Sequence, residues 1–293
     1  MSATVRMLRI ASAMCLVLCL AAPRVGAQTN PAVVGQWETV APLPFYSTAL
    51  HLLPTGMVMY YSNGVAYPGG IDARLWDPAT GTTLPMAAPG YNVFCSGHAF
   101  LADGRLLIAG GHIINNVGLP NASIYDPVSN AWTAAPNMNA GRWYPTATTL
   151  ANGEVLVIAG QIDTTVGINS LAQVFQPSGS SGTWRDLTTA RLTPNLYPRM
   201  HLAPNGQLVY TASTQTTRYL DTSGTGAWTV IATRNFGERD YGTSVMYDNG
   251  KVLVVGGADP PTNSAEVIDL NAPTPVWRLV LSWIARASWG GAG

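Results

Sequence analysis

Cys95, Tyr144, Tyr197 and Tyr241 share one address in the sequence: each stands nine residues before a glycine in a short turn, Gly104, Gly153, Gly206 and Gly250 in order. Tyr46 stands ten before Gly56. If the chain repeats, equivalent positions lie at equal height, so these side chains should ring one opening, with Cys95 and Tyr144 in neighbouring units. Cys95 is the only cysteine beyond the first 27 residues. A thiol without an internal partner in an oxidising compartment is buried and inert, paired between chains, or chemically special. The tyrosines can equally be structural, with rings packed below and hydroxyls wet above. The imidazoles beyond the leader are His51, His98, His112 and His201. His98 is three residues from Cys95 and so faces the other way on a strand. His201 is four residues after Tyr197 and faces the same way. His112 follows Gly110-Gly111 on a loop. Each histidine is either a metal ligand or a surface or hydrogen-bonded strand residue.

The cysteine arithmetic depends on a leader. Arg6 and Arg9 precede an apolar run from Ile10 to Ala22, and Val25-Gly26-Ala27 supplies small residues where a peptidase would cut. This is the pattern of a secretory signal peptide over residues 1–27. The run falls short of the ~20 residues that a membrane span needs, so a short anchor is the weaker reading. Leu18 is too bulky to make Cys19 a good lipoprotein site. The expected destination is secreted or periplasmic. Losing the leader removes Arg6, Arg9 and Arg24, which leaves 12 basic against 15 acidic side chains. With Lys251 as the single lysine there is no basic patch for phosphate, which excludes nucleic acid as a partner. No membrane partner is expected once the leader is gone.

The elements that must position these residues are short and repeated. Five turns, at Gly56, Gly104, Gly153, Gly206 and Gly250, are spaced by 48, 49, 53 and 44 residues. Each lies between two apolar-rich runs, which reads as a β-hairpin. The second run ends in small residues, such as Gly110-Gly111 and Gly256-Gly257, and a third run ends at Trp76-Asp77-Pro78, Tyr125-Asp126-Pro127 or Phe175-Gln176-Pro177. Trp132, Trp184, Trp228 and Trp277 follow at spacings of 52, 44 and 49, each read as opening the next unit, and Trp37 as opening the first. A period near 50 with Gly pairs, Tyr and Trp in fixed phase is the signature of kelch repeats. The expected fold is an all-β kelch-type β-propeller over residues 28–280, with five recognisable blades plus the start of a sixth. A β-sandwich would not hold Trp and Gly in phase. Only 10% of residues are charged, against roughly 25% in average soluble domains, while Gly and Pro number 30 and 21. That balance suits blades packed face to face.

On these residues the chain resembles the glyoxal oxidase and galactose oxidase family of copper radical oxidases. The segments that carry the likeness are Asn92-Val93-Phe94-Cys95-Ser96-Gly97, Gly141-Arg142-Trp143-Tyr144-Pro145-Thr146 and Tyr241 to Asp248. The resemblance runs from about Trp37 to about Val280. It implies that Cys95 and Tyr144 join through a thioether into a radical cofactor. It also implies that Tyr144 ligates copper, and that the protein oxidises a small aldehyde, primary alcohol or carbohydrate with dioxygen, giving hydrogen peroxide. Family members complete the copper site with an adjacent Tyr-His pair in a later blade and a further His in a C-terminal domain. None of the four histidines here adjoins a tyrosine. The Trp that galactose oxidase stacks over its cofactor is also absent near Ile162.

Beyond Val280 the repeat phase is lost in a Gly- and Trp-rich stretch, residues 281–293. The expectation is an aberrant or unstructured tail on a chain truncated or frame-shifted relative to the family, with two open sheet faces. Two functions stay in view: a secreted copper radical oxidase with an incomplete site, and a non-catalytic kelch propeller that binds a glycan or a protein.

Overall fold

A computed structural model describes residues 30, 35–36, 42–62, 73–87 and 89–280. The leader, Trp37 and the 281–293 stretch lie outside the described residues. All regular structure among the described residues is β. Four strands make the first sheet, in sequence order: β1 (Ala49–Leu52), β2 (Val58–Tyr61), β3 (Ala73–Trp76) and β4 (Thr83–Pro85). The second sheet joins β5 (Gly97–Phe100), β6 (Leu106–Ala109), β9 (Ala122–Asp126) and β10 (Ala131–Ala135). A two-stranded ribbon, β7 (His112–Ile114) and β8 (Val117–Gly118), is inserted after β6. The third runs β11 (Trp143–Thr149), β12 (Val155–Asp163), β14 (Gln173–Ser178) and β15 (Ser181–Asp186), with β13 (Gly167–Ile168) beside β12. The fourth is β16 (Arg199–Leu202), β17 (Leu208–Ala212), β18 (Thr216–Asp221) and β19 (Ala227–Thr233). The fifth is β20 (Thr243–Asp248), β21 (Lys251–Val255), β22 (Ala265–Asp269) and β23 (Trp277–Val280). All pairings are antiparallel, so these are the blades the repeat period predicts.

The turn glycines do what their spacing implies. Gly56, Gly104, Gly153, Gly206 and Gly250 all take positive φ, between 72° and 86°, in the hairpin between the first two strands of each blade. An L side chain rarely adopts that conformation, and glycine adopts it without penalty.

Alternation along the second strand of each blade builds the core. On β6, Leu106 and Ile108 point to the first blade, where they meet Met59, Tyr61 and Leu75. Leu107 and Ala109 point the other way, to Val155, Val157 and Phe175. On β12, Leu156 and Ile158 face Leu208 and Tyr210 of the fourth blade, and Val209 then faces Val252 and Val254 of the fifth. A strand with both faces apolar must be covered on both sides, which stacks the blades.

The unit boundary is corrected by the pairing. Trp132 lies on β10 opposite Tyr125, Trp184 on β15 opposite Phe175, and Trp277 on β23 opposite Ile268. The tryptophans therefore close their own blades as outer strands, and Trp277 completes the fifth blade instead of starting a sixth. Their indole N–H groups explain the fixed phase. Trp132, Trp184 and Trp228 donate to the carbonyls of Ala87, Pro136 and Ala190, at 2.8, 2.7 and 2.9 Å, in the connectors that enter their own blades. Trp277 donates to Thr217 Oγ1 of the blade before. Apolar side chains are exposed on the first and last of these sheets, Leu50 and Leu52 on β1 and Val245 and Tyr247 on β20.

Buried arginines brace the loops that precede the inner strands. Arg142 is fully buried, and its Nη1 and Nη2 donate to the carbonyls of Ala159 and Leu171 at 2.7 and 2.6 Å. Burial lowers its pKa to about 9. Arg239 holds the same relation to its own blade, donating to Gly256 O, but there a buried carboxylate, Glu266, pairs with it at 3.1 Å. Gln173 stands on β14 where Glu266 stands on β22, accepting the Asn139 N–H as Glu266 accepts those of Asn235 and Phe236.

The inner strands of four consecutive blades line a cavity of about 370 Å³ that contains His98 and His201. His98 meets His51 edge-on, with ring centroids 4.7 Å apart. Burial lowers the pKa of His51 to about 4. It lowers that of His98 to about 3, with the His51 charge assisting, and that of His201 to about 4, with Arg199 assisting.

Two outcomes follow from these contacts. Arg142→Met keeps most of the side-chain volume but strands two buried carbonyls, and should cost about 2–4 kcal/mol in urea unfolding. Arg105→Met, which removes the pair with the exposed Asp103 and the bond to the Gly179 carbonyl, should cost less, about 1 kcal/mol. The channel histidines are neutral when folded, whereas an unfolded chain protonates them below the ordinary value of 6.5. Their contribution is therefore present above pH 6.5 and is lost as pH falls toward 4. Melting temperature should drop through that window, and His98→Gln should make the drop shallower. An unchanged slope in the variant would show that His98 does not carry the linkage.

Candidate functional site

The four positions at equal phase share an unusual backbone. Cys95, Tyr144, Tyr197 and Tyr241 have φ of 62°, 63°, 48° and 56°, in the left-handed region that non-glycine residues seldom occupy. This conformation turns the chain from the inter-blade loop into the inner strand and lets neighbouring blades share hydrogen bonds. The Tyr144 N–H donates to the Cys95 carbonyl at 2.8 Å, and the Tyr197 N–H donates to the Tyr144 carbonyl at 2.9 Å. Three successive blades are thus joined at this point through the backbone of the candidate residues. Gly110 shows how closely the loops approach: a Cβ there would lie 2.4 Å from the Arg142 carbonyl oxygen.

Cys95 is buried and unpaired. Burial pushes its thiol up to about 12, with Tyr144 and Trp143 near enough to oppose the shift. The Tyr144 phenol is also held well above its ordinary value, first by burial and then by the hydrogen bond with Cys95. Both groups are protonated and in contact at neutral pH. Tyr144 is enclosed by rings on both sides. Trp143 stacks on it at 3.9 Å between centroids and 7° between planes, and Tyr197 stacks at 4.6 Å and 19°. The Tyr197 hydroxyl reaches toward the Ser96 carbonyl at 3.4 Å, and burial raises its pKa strongly.

Of the residues expected to ring the opening, Cys95, Tyr144 and Tyr197 come together. Tyr241 shares the backbone conformation and lies near enough to raise the Tyr144 pKa by its charge, but its side chain is 85% exposed. Tyr46 is 71% exposed. The residue that sequence reasoning missed is Trp143. The absence of a tryptophan near Ile162 suggested an uncovered phenol, yet the cover comes from the residue directly before Tyr144. Its indole N–H donates to His112 Nδ1 at 3.0 Å, and His112 in turn meets Phe94 edge-on at 5.4 Å. The Arg-Trp-Tyr run held the signal, but stacking between adjacent residues requires the left-handed turn that no pattern announced.

The donors for a metal are incomplete. No group of three His, Cys, Asp or Glu among the described residues is arranged to hold an ion. His112 is committed to Trp143, His201 Nε2 is paired with Ser244 Oγ at 2.7 Å, and His51 and His98 pack on each other in the channel. None of these imidazoles is left free beside the Tyr144 phenol among the described residues. No helix among the described residues is long and apolar enough to cross a membrane.

Similarity to known proteins converges on the same loops. The chain is 28% identical over 273 residues to a galactose oxidase of Gibberella zeae, covering 82% of this chain and 39% of the relative. It is 27% identical over 216 residues to the aldehyde oxidase GLOX of Vitis pseudoreticulata, covering 64% and 40%. The chain thus spans about two fifths of the length of these curated relatives. A solved structure, a fungal alcohol oxidase of the AA5 family in complex with copper, superposes with a TM-score of 0.73 at 24% identity, over 85% of this chain and 56% of that one. The glyoxal oxidase N-terminus family matches residues 71–222, more than half of the sequence and both loops that carry Cys95 and Tyr144. The chain belongs to that family, among the relatives of the galactose and glyoxal copper radical oxidases.

Proposed function

We propose that this chain carries the redox half of a secreted copper radical oxidase, with Cys95 and Tyr144 as the protein part of the cofactor. The observation that carries the reading is the contact of the Cys95 thiol with a Tyr144 phenol enclosed by Trp143 and Tyr197. Joining sulfur to the ring carbon beside the phenol oxygen removes one hydrogen from the thiol and one from the ring. Dioxygen accepts both as hydrogen peroxide. The substituted phenol is easier to oxidise by one electron, and two stacked rings spread the resulting hole. The substrate class is a small aldehyde or primary alcohol, carbohydrates included, and the residue 1–27 leader would direct secretion. Copper supplies the partner one-electron change in such oxidases. Tyr144 is the one donor for it at this site, and the imidazoles that would complete the set are not among the described residues. That shortfall favours a second reading, a non-catalytic kelch propeller for a glycan or protein partner.

Purified protein incubated with copper(II) in air and then digested separates the two readings. The first expects the Cys95 and Tyr144 peptides joined and lighter by two hydrogens, with the product abolished in Cys95→Ala and Tyr144→Phe. Two ordinary peptides after full copper loading would support the second reading.

A further inference from the structure

The cavity between the inner strands holds an arginine that no described carboxylate neutralises. Arg199, on β16, is partly buried in the wall of the 370 Å³ cavity. Its Nε donates to the Gly242 carbonyl at 3.1 Å, and among the described residues its two terminal nitrogens have no hydrogen-bond partner. Among the described residues no carboxylate pairs with it, and the cavity lining contains no Asp or Glu. Around it are groups that are polar but uncharged. Ser244 Oγ is fixed by His201 Nε2 at 2.7 Å and by Thr211 Oγ1 at 2.9 Å. Thr148 and His98 complete the polar wall. Burial keeps both channel imidazoles neutral, so Arg199 is the single formal charge among the described residues that line this space.

A guanidinium partly withdrawn from water and facing no carboxylate still offers its fork of N–H donors, which matches two oxygens of one anion. A metal cation would be repelled by the same charge. We propose that the channel binds a small oxyanion, carboxylate or phosphate, whose oxygens take the free Arg199 N–H groups, with the Thr148 hydroxyl as an additional donor. The volume admits such an anion together with several waters, each of which occupies about 30 Å³. This site does not depend on the redox reading, because none of its groups belongs to the Cys95–Tyr144 pair.

The test is calorimetric titration of the full chain with inorganic phosphate, with oxalate and with acetate, against potassium chloride at matched ionic strength. Saturable one-to-one binding is expected for at least one oxyanion, and the ranking of the three tells phosphate from carboxylate. Arg199→Gln should weaken it at least about tenfold, the loss of a charge-assisted hydrogen bond, and Thr148→Val about fivefold. Arg105→Gln, on the surface, should leave it unchanged. Modification of the unaltered protein by phenylglyoxal, read by mass spectrometry, tests the same residue without a variant: the oxyanion should slow the Arg199 adduct and no other. Heat that chloride reproduces, equal affinity in Arg199→Gln, or unprotected modification of Arg199 would overturn the proposal.

Discussion

No blade of this protein can bury its own core. Its middle strands carry apolar side chains on both faces, so Leu106 and Ile108 need one neighbour while Leu107 and Ala109 need another. Sheets with one apolar face can stop at a pair, but sheets with two must continue as a stack. The rest of the structure follows from that demand. The tryptophans of the outer strands β10, β15, β19 and β23 tie the stack at its rim, and the loops before the inner strands tie it at the axis. The residues of chemical interest sit at the axial ties because that is where consecutive blades come close enough for their side chains to touch.

The axial ties also explain the polarity of the site. Stacking brings inter-blade loops into a region where backbone groups have little access to water, and unpaired groups there are expensive. The sequence meets the demand in two ways. Successive loops bond to one another through Tyr144 and Tyr197, and arginines reach in from beside them to collect stray carbonyls. Arg142 does this with a neutral Gln173 nearby where Arg239 has Glu266. A positive charge thus stays buried two residues from the phenol of Tyr144.

Much of this was legible in advance because the turn glycines are nearly invariant markers of one point in each blade. Counting from them identified Cys95, Tyr144 and Tyr197 as neighbours although about 50 residues separate each from the next. The same counting could not say where a unit begins, since a period has no origin. Only the strand pairing, Trp132 with Tyr125, Trp184 with Phe175 and Trp277 with Ile268, shows that tryptophan ends a blade. Contacts that depend on side-chain direction stayed hidden as well. His51 and His98 meet across two blades through register, and Trp143 covers Tyr144 through a local turn. Tyr241 has the right phase and the right backbone, yet it points to solvent.

The left-handed turn at the four phase-matched positions has one more consequence. A non-glycine residue in that conformation costs roughly 1 kcal/mol, and this chain bears the cost at Cys95, Tyr144, Tyr197 and Tyr241 alike. Backbone economy alone would place glycine at all four, as it does at the five hairpin turns. The thiol and the three phenols are therefore held in place against a local preference. Selection for a hardier fold and selection for whatever these side chains do pull in opposite directions at the same residues.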